Sequence, residues 1–477
     1  MTQQNIDAVY EVWKSMVKEG KWHFIGIGGV GMSGIAKACL EMGKPVSGSD
    51  LAASVLTDRL SELGAAVHIG RHDAAFVGDD LEAVVVSSAI RQDNPERMAA
   101  MAKGIPVIHR GSCLARFMSR KKGIAVSGAH GKTTASAMIA WLLQKSGCKP
   151  SFFIGAFVGN LDTNAKWDEG EYLVAEADES DGSFLELAPE IALVTNVEND
   201  HLDYYGTLEK IDEAFITFIN GIPGTGRAVL CADDPGIRRI MPGIRHDRII
   251  AYGMGAEANL RGVDIRYEAG EMKAEVYWKG ELAGTLVLQV YGEHNLLNAL
   301  GAMAVGVECG LCVAGMIEIL YDFKGAHRRL EYIGEVRGGK VKIYDDYAHH
   351  PTEIKTTLAA ARHIGASRML VLFQPHRYTR TMLLADEFGR AFGSADELIL
   401  LPIYSAGEDP IPQVDSGLIA DKMLEYEGYR PRVAESFDVA CAMVEEMIED
   451  GDLVLTMGAG NIRKIGETLL DQWSNAD

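Results

Sequence analysis

Long apolar runs are missing from this chain. Hydrophobic residues fill 47% of its 477 positions, yet no run approaches the roughly 18 residues a membrane span needs. The expectation is a soluble globular protein with no membrane insertion. Cysteine is scarce: there are seven, an odd number scattered without a dense framework, which excludes a disulfide scaffold and fits a reducing compartment. Met1 to Tyr10 carry neither a basic n-region nor an apolar h-region, so no secretory signal is read and a cytoplasmic location is expected. Positive charge is in deficit, 46 Lys and Arg against 67 Asp and Glu for a net −21. Such a balance disfavours DNA, RNA and anionic membranes, whose phosphates would be repelled. An anionic substrate then requires a local positive pocket built from Lys, Arg or helix N-termini. What the chain has in plenty is core material, more than one hydrophobic core usually serves, and two to four domains are expected.

The most informative stretch is Gly128 to Thr134, G-A-H-G-K-T-T, set between the apolar run Ile124-Ala125-Val126 and a helix-like segment. A glycine-rich turn lets backbone N–H groups close on phosphate oxygens, Lys132 neutralises their charge, and the hydroxyl of Thr133 or Thr134 can ligate Mg²⁺. The spacing is G-x-x-G-K-T, shorter than the full G-x-x-x-x-G-K-S/T, so a shorter loop is expected. ATP or a relative is the implied ligand.

Nearer the N-terminus, Trp22-His23-Phe24-Ile25 reads as a buried strand that Gly26-Ile27-Gly28-Gly29-Val30-Gly31 turns into a helix starting near Met32. This is G-x-G-x-x-G in its proper context, and Asp50 ends the next strand about 20 residues on, where a ribose-binding carboxylate belongs. The fingerprint suits a nucleotide diphosphate, dinucleotide or sugar nucleotide alike. The strand Ala83–Val86 delivers Ser87 and Ser88 to a carboxyl end, where ligands of open α/β sheets lie.

The basic run Ser119-Arg120-Lys121-Lys122-Gly123 reads as an exposed linker, after which a second α/β unit starts. Its strand Tyr172–Ala175 delivers Glu176-Ala177-Asp178-Glu179-Ser180-Asp181, and Ile191–Val194 delivers Thr195-Asn196 and then Asn199-Asp200-His201. Acids with an imidazole at strand ends suit Mg²⁺, which takes one or two carboxylates plus substrate phosphates. A third unit resets after Phe323-Lys324-Gly325. There Val341–Tyr344 leads into Asp345-Asp346-Tyr347-Ala348-His349-His350-Pro351, Met369–Phe373 leads into Gln374-Pro375-His376-Arg377-Tyr378-Thr379-Arg380-Thr381, and Leu453–Leu455 precedes Gly458-Ala459-Gly460-Asn461. His376, Arg377 and Arg380 form a cationic group able to hold a carboxylate through the Arg fork. Three α/β domains in a row is the economical account.

In order and spacing these motifs closely resemble the Mur ligase family, over Phe24 to about Gly466. The resemblance also draws on Gly292-Glu293-His294-Asn295 and Arg328-Arg329. It implies a Rossmann-like UDP-sugar domain (1–121), a central P-loop ATPase-like domain (122–325) and a Rossmann-like amino-acid domain (326–477). Ser87-Ser88, E-A-D-E-S-D and Q-P-H-R-Y-T-R-T look like the alanine-adding member. The implied activity is an ATP- and Mg²⁺-dependent ligation of L-alanine to the lactyl carboxylate of UDP-N-acetylmuramate through an acyl phosphate.

Gly28, Gly29, Gly31 and Met32 would then hold the UDP pyrophosphate, with Asp50, Ser87 and Ser88 completing the sugar-nucleotide site. Gly128, His130, Gly131, Lys132, Thr133 and Thr134 would cradle ATP phosphates, with Thr133 and Glu176 on one Mg²⁺ and His201 on a second. His294 and Asn295 resemble adenine contacts, and Arg329 and Asp346 resemble groups that close onto ATP. His349, His376, Arg377 and Arg380 would position alanine, and either His201 or His349 would take its proton. Catalysis of this kind is mostly positioning and electrostatics.

The chain departs from the family at two places. Glu213-Ala214-Phe215-Ile216 has no lysine where several relatives carry a carbamylated one, and Arg71 stands where a histidine is common. The pair Cys309 and Cys312 reads as structural. Two other readings stay open: a recycling ligase of the same family that adds a preformed tripeptide, and a nicotinamide-dependent oxidoreductase built on Gly26 to Gly31. The latter leaves Lys132, Glu176 and His201 unexplained.

Overall fold

The computed structural model describes residues 20–268 and 270–474, without the side chains of 202, 203 and 474. The reading of Met1 to Tyr10 lies outside the described residues. Three sheets carry the fold. The first is wholly parallel, with strands β1 (Lys21–Ile25), β2 (Val46–Asp50), β3 (Ala66–Ile69), β4 (Leu81–Val86) and β5 (Val107–His109) in the order β3-β2-β1-β4-β5. Chain order reverses at β1, so a crevice opens beyond the carboxyl ends of β1 and β4, the usual ligand position in such a sheet.

The second sheet has ten strands: β6 (Lys122–Ser127), β7 (Ser151–Val158), β8 (Thr163–Lys166), β9 (Tyr172–Glu176), β10 (Ile191–Val194), β11 (Arg227–Cys231), β12 (Ile249–Gly253), β13 (Leu260–Glu268), β14 (Glu271–Trp278) and β15 (Glu281–Leu288). They lie in the order β15-β14-β13-β12-β11-β10-β6-β9-β7-β8. β6 runs parallel between β10 and β9, so the loops leaving these three strands share one edge of the sheet.

The third sheet orders β16 (Glu331–Val336), β17 (Val341–Asp346), β21 (Asp452–Met457), β18 (Arg368–Phe373), β19 (Glu397–Leu400) and β20 (Arg432–Val433) as β16-β17-β21-β18-β19-β20. Only β16 is antiparallel to its neighbour. Both faces are buried, which explains the unbroken apolar runs of β18 and β21. Met369, Val371 and Phe373 point into one core with Ile354, Leu358 and Phe392, while Leu370 and Leu372 point into the other with Val444, Ile465 and Leu469. The period of two along the strand divides one hydrophobic run between two cores.

The described residues fall into two compact units. One runs to Val263 and adds Val276–Gly284 and Leu297–Leu320; the other comprises Asp264–Glu275, Thr285–Leu296 and the chain from Tyr321 onward. The expected linker at Ser119 to Gly123 is shorter than read. Lys122 and Gly123 already belong to β6, and Lys121 Nζ donates to the carbonyls of Asp168 and Gly170. A basic run that finds carbonyl acceptors becomes part of the fold. All seven cysteines are free; Cys312 Sγ accepts from Gly315 N–H at 3.4 Å, a local helix-start contact that fits the structural reading of that pair. Among the described residues no helix is long and apolar enough to cross a membrane.

Candidate functional site

Most helices with a described N-cap are closed by a side chain, as by Ser54, Asn94, Asp234, Asp415 and Ser436. The helices Val30–Glu41 and Lys132–Lys145 are not. Their caps are Gly29 and Gly131, which offer no side chain. First-turn N–H groups left without a cap, at the positive end of the helix dipole, are anion-binding groups. These are the two helices that follow the glycine motifs read from the sequence.

In the first of these regions, Gly28 N donates to Asp50 Oδ2 at 2.8 Å, so the loop after β1 is tied to the end of β2. A Cβ at Gly28 would stand 2.9 Å from that oxygen, so a larger residue there would push the Asp50 carboxylate away from the loop. Met32 is buried beneath the turn. Ser88 Oγ donates to Asp181 Oδ2 at 2.6 Å, and Arg110 Nη2 donates to Asp178 Oδ2 at 2.7 Å. The E-A-D-E-S-D loop is therefore joined to the carboxyl end of the first sheet. Beside Ser87 and Ser88 opens a cleft of about 600 Å³, lined also by Arg91, Arg97 and His109.

The second region is built from the loops after β6, β9 and β10. Gly128 and Gly131 take φ of +131° and +84°, and a Cβ at Gly131 would lie 2.5 Å from Asn298 Oδ1. The loop's shape is set by its neighbour strand: Asn196 Oδ1 accepts from His130 N at 2.8 Å, while Asn196 Nδ2 and Thr195 Oγ1 donate to His130 O at 2.9 and 2.6 Å. Lys132 Nζ donates to Gly128 O at 2.6 Å, to Ala129 O at 3.2 Å and to Glu179 Oε1 at 2.9 Å. Burial would lower the pKa of this ammonium, but the carboxylates of Glu179, Asp178 and Glu176 outweigh it and hold the pKa above its usual value. Asp178 sits well below the usual carboxylate range: burial opposes ionisation, and the charges of Lys132 and Arg110 overcome it. Thr133 and Thr134 are buried at the helix start. Glu176 accepts from Gly155 N.

His201 adopts φ +57°, which presents its ring 3.5 Å from both Glu179 Oε1 and Asp200 Oδ2. Burial alone would make it less basic, yet the contact with Glu179 and the charge of Asp200 raise its pKa. Backbone N–H groups, an ammonium, a buried threonine hydroxyl and a group of carboxylates form a donor set that fits nucleotide phosphates with Mg²⁺. The residues singled out on the three strand ends are brought together.

In the second compact unit, His349, His376, Arg377 and Arg380 also meet. The rings of His349 and His376 lie 5.6 Å apart, and His376 stacks on Tyr404 at 5.7 Å. Arg380 Nη1 donates to His376 Nδ1 at 3.4 Å, which assigns the ring's proton to Nε2. Burial and then the neighbouring charges of His349, Arg380 and Arg377 push His376 down to about 3. Arg377 takes φ +69° and its N–H donates to Tyr404 O at 2.8 Å. The helix Tyr378–Leu383 has no side-chain cap either.

His294 is held at about 4, by burial and then by the charge of Arg329. Asn295 Nδ2 donates to Tyr291 O at 2.8 Å. Arg329 lies over the Tyr347 ring at 5.4 Å. Asp346 is engaged inside the fold: its oxygens accept from Leu330 N at 2.6 Å, Ala348 N at 2.7 Å and Thr357 Oγ1 at 3.2 Å. Burial raises its pKa to about 6.

Three residues that stand in the sequence motifs were given no role of their own by sequence reading. Asn196 shapes the phosphate loop, and Glu179 binds Lys132. Arg328 donates to Asp345 Oδ2 at 2.9 Å and to the carbonyls of Gly460 and Gly458, bracing the turn after β21. Its pairing with the aspartate two strands' length away was not visible from position alone.

Comparison with known proteins follows the same three parts. Three Mur ligase descriptions match: the family's catalytic domain at residues 21–122, its middle domain at 126–306 and its glutamate ligase domain at 328–460. The UDP-N-acetylmuramate–L-alanine ligase of Syntrophotalea carbinolica is 45% identical over 95% of this chain and 98% of its own length. The crystal structure of a UDP-N-acetylmuramate-alanine ligase from Thermotoga maritima is similar with a TM-score of 0.81 and 28% identity, covering 96% of this chain and all of that one. A murein peptide ligase from Psychrobacter arcticus shares the fold at a TM-score of 0.72 and 24% identity, over 96% and 99% of the two chains.

Proposed function

The chain belongs to the Mur ligase family, and from that premise we propose that it joins L-alanine to the lactyl carboxylate of UDP-N-acetylmuramate in an ATP-dependent reaction. An acyl phosphate is the intermediate, and ADP and phosphate are released. The support is the 45% identity over 95% of the chain to a ligase of that name, with G-A-H-G-K-T-T, E-A-D-E-S-D and Thr195 to His201 meeting at three adjacent strand ends. The same relatives leave the nicotinamide-dependent reading without support.

The parts divide as 1–121 for the UDP-sugar, 122–325 for ATP and 326–477 for the amino acid. Gly28, Gly29, Gly31 and Met32 form the pyrophosphate turn, Asp50 faces the ribose, and Ser87 and Ser88 border the sugar cleft. Gly128, His130, Gly131, Lys132, Thr133 and Thr134 receive the ATP phosphates, His294 and Asn295 the adenine, and Arg329 the nucleotide. Asp346 closes onto the nucleotide with Arg329, while its carboxylate also orders the Leu330 and Ala348 backbones. His376, Arg377 and Arg380 hold the alanine carboxylate through a fork and a neutral ring. The enzyme works in the cytoplasm.

The lactyl carboxylate attacks the γ-phosphorus of ATP in line, and ADP leaves. Lys132 offsets the negative charge spreading over the transferred oxygens, and the uncapped N–H groups after Gly131 do the same from the backbone. Thr133 and Glu176 would hold one Mg²⁺ and His201 a second, and these would supply further charge neutralisation. The alanine amine then attacks the acyl carbonyl, a tetrahedral intermediate forms, and phosphate departs. His349 donates to Tyr347 O through Nδ1 at 3.0 Å, so whenever the ring is uncharged Nε2 is its basic nitrogen, the one that takes the ammonium proton. His201 is the weaker candidate for this step, because Glu179 and Asp200 favour its protonated form.

Hydroxylamine trapping tests the reading. With ATP, Mg²⁺ and UDP-N-acetylmuramate but no alanine, the wild type should yield the muramoyl hydroxamate. Lys132→Ala should yield none while still binding the UDP-sugar. Normal hydroxamate from that variant would refute the phosphate-loop assignment.

A further inference from the structure

Glu179 has no part in the roles assigned above. It lies three residues beyond Glu176 and is 3% exposed. Its backbone is pinned, since Tyr205 Oη and Gly182 N donate to Glu179 O at 2.6 and 3.1 Å. Its Oε1 accepts from Lys132 Nζ at 2.9 Å. Its Oε2 is buried with no hydrogen-bond partner.

Lys132 shows the complement of this arrangement. Its three ammonium donors are all matched, two by carbonyls of its own loop and one by Glu179. The ammonium that the ligase reaction needs for phosphate is thus closed off by protein acceptors, and one of them carries the negative charge a phosphate oxygen would bring. We propose that Glu179 is a displaceable counter-ion of Lys132, which blocks metal-free nucleotide and releases the lysine only when a divalent cation arrives with the phosphates. This inference rests on the reading of Lys132 as the ATP-phosphate group.

The physical grounds are the unequal state of the two oxygens and the signs of the charges. A buried ion pair is stable when the remaining lone pairs are also satisfied, and Oε2 is not. The carboxylate therefore has unused capacity for a cation or its bound water. A nucleotide without metal brings several negative charges toward Glu179, Glu176 and Asp178 and must break the Lys132 pair against that repulsion. The same nucleotide with Mg²⁺ gives Glu179 a new partner as it gives up the old one. Glu179 turns a general phosphate loop into one that selects the metal complex.

The test is calorimetric binding of ATP to the full chain, in EDTA and in excess Mg²⁺, read as the ratio of the two dissociation constants. In Glu179→Gln this ratio should fall at least about tenfold, one factor of ten being about 1.4 kcal/mol, chiefly because metal-free ATP binds more tightly. Glu179→Ala must show the same fall, which keeps the test open if the glutamine variant does not fold. Glu186→Gln, an exposed acid of the same segment, removes equal charge and should leave the ratio unchanged. An unchanged ratio in both Glu179 variants, or an equal fall in Glu186→Gln, overturns the proposal. Lys132→Ala separates the two layers: if it binds Mg-ATP as the wild type does, the phosphate-loop reading itself fails; if it loses Mg-ATP while the Glu179 ratio is unchanged, only the counter-ion proposal fails.

Discussion

Acidification should loosen the second compact unit, and His376 should account for much of the effect. His376 is held at about 3 and His294 at about 4, against 6.5 for an ordinary histidine. Both are neutral in the fold and bind a proton on unfolding. A histidine with a depressed folded pKa loses stability as pH falls below its unfolded value, because the unfolded chain takes up the proton. Between pH 7.5 and 5.0 each contributes a loss of roughly 2 kcal/mol, at 1.36 kcal/mol per pH unit below 6.5. Asp346 works the other way. Its folded pKa of about 6 exceeds the unfolded value, so its penalty is present at neutral pH and relieved by acid, returning roughly 1.4 kcal/mol at pH 5.0. For these three groups together the expectation is a loss of roughly 2.5 kcal/mol in the wild type and roughly 0.5 kcal/mol in His376→Gln. Hydrogen exchange of peptides covering β17, β18 and β21 at the two pH values measures both. An equal loss in the two proteins would refute the claim that His376 is buried and neutral.

Other perturbations bear on the site. Arg377→Ala should raise the KM for L-alanine more than that for ATP, and an unchanged alanine dependence in steady-state assays would remove Arg377 from the amino-acid site. Gly131→Ala places a Cβ 2.5 Å from Asn298 Oδ1 at φ +84°. It should weaken Mg-ATP binding at least about tenfold, the equivalent of roughly 1.4 kcal/mol of backbone strain, while UDP-sugar binding stays intact; titration of the two ligands separates these effects.

The parallel sheets were legible because buried strands read as apolar runs that stop at a glycine, serine or acid. β1, β4 and β6 show this pattern, while the runs of β10 and β18 stop instead at the polar Thr195 and Gln374. β14 was not read although its sequence carries a period of two, with Met272, Ala274 and Val276 buried between half-exposed charged or polar neighbours; a search for continuous apolar runs passes over such a strand. The phosphate loop was legible from glycine spacing, but its support by Asn196 was not, since those partners stand 66 residues apart. Within E-A-D-E-S-D, position alone could not separate roles. The fold sends Asp178 to Arg110, Glu179 to Lys132 and Asp181 to Ser88. The buried network of His23, Ser49, His72 and Glu96 escaped notice for the same reason: His23 Nε2 and Glu96 Oε2 meet at 2.7 Å across 73 residues. It puts His72, next to Arg71, in contact with the strand that ends at Asp50.

The central claim is tested most directly by ADP release with Mg-ATP and UDP-N-acetylmuramate, using L-alanine or the tripeptide L-alanyl-γ-D-glutamyl-diaminopimelate as the amine. Release that depends on L-alanine and is absent with the tripeptide is the predicted result. Release only with the tripeptide would contradict the account and assign the chain to the recycling branch of the family.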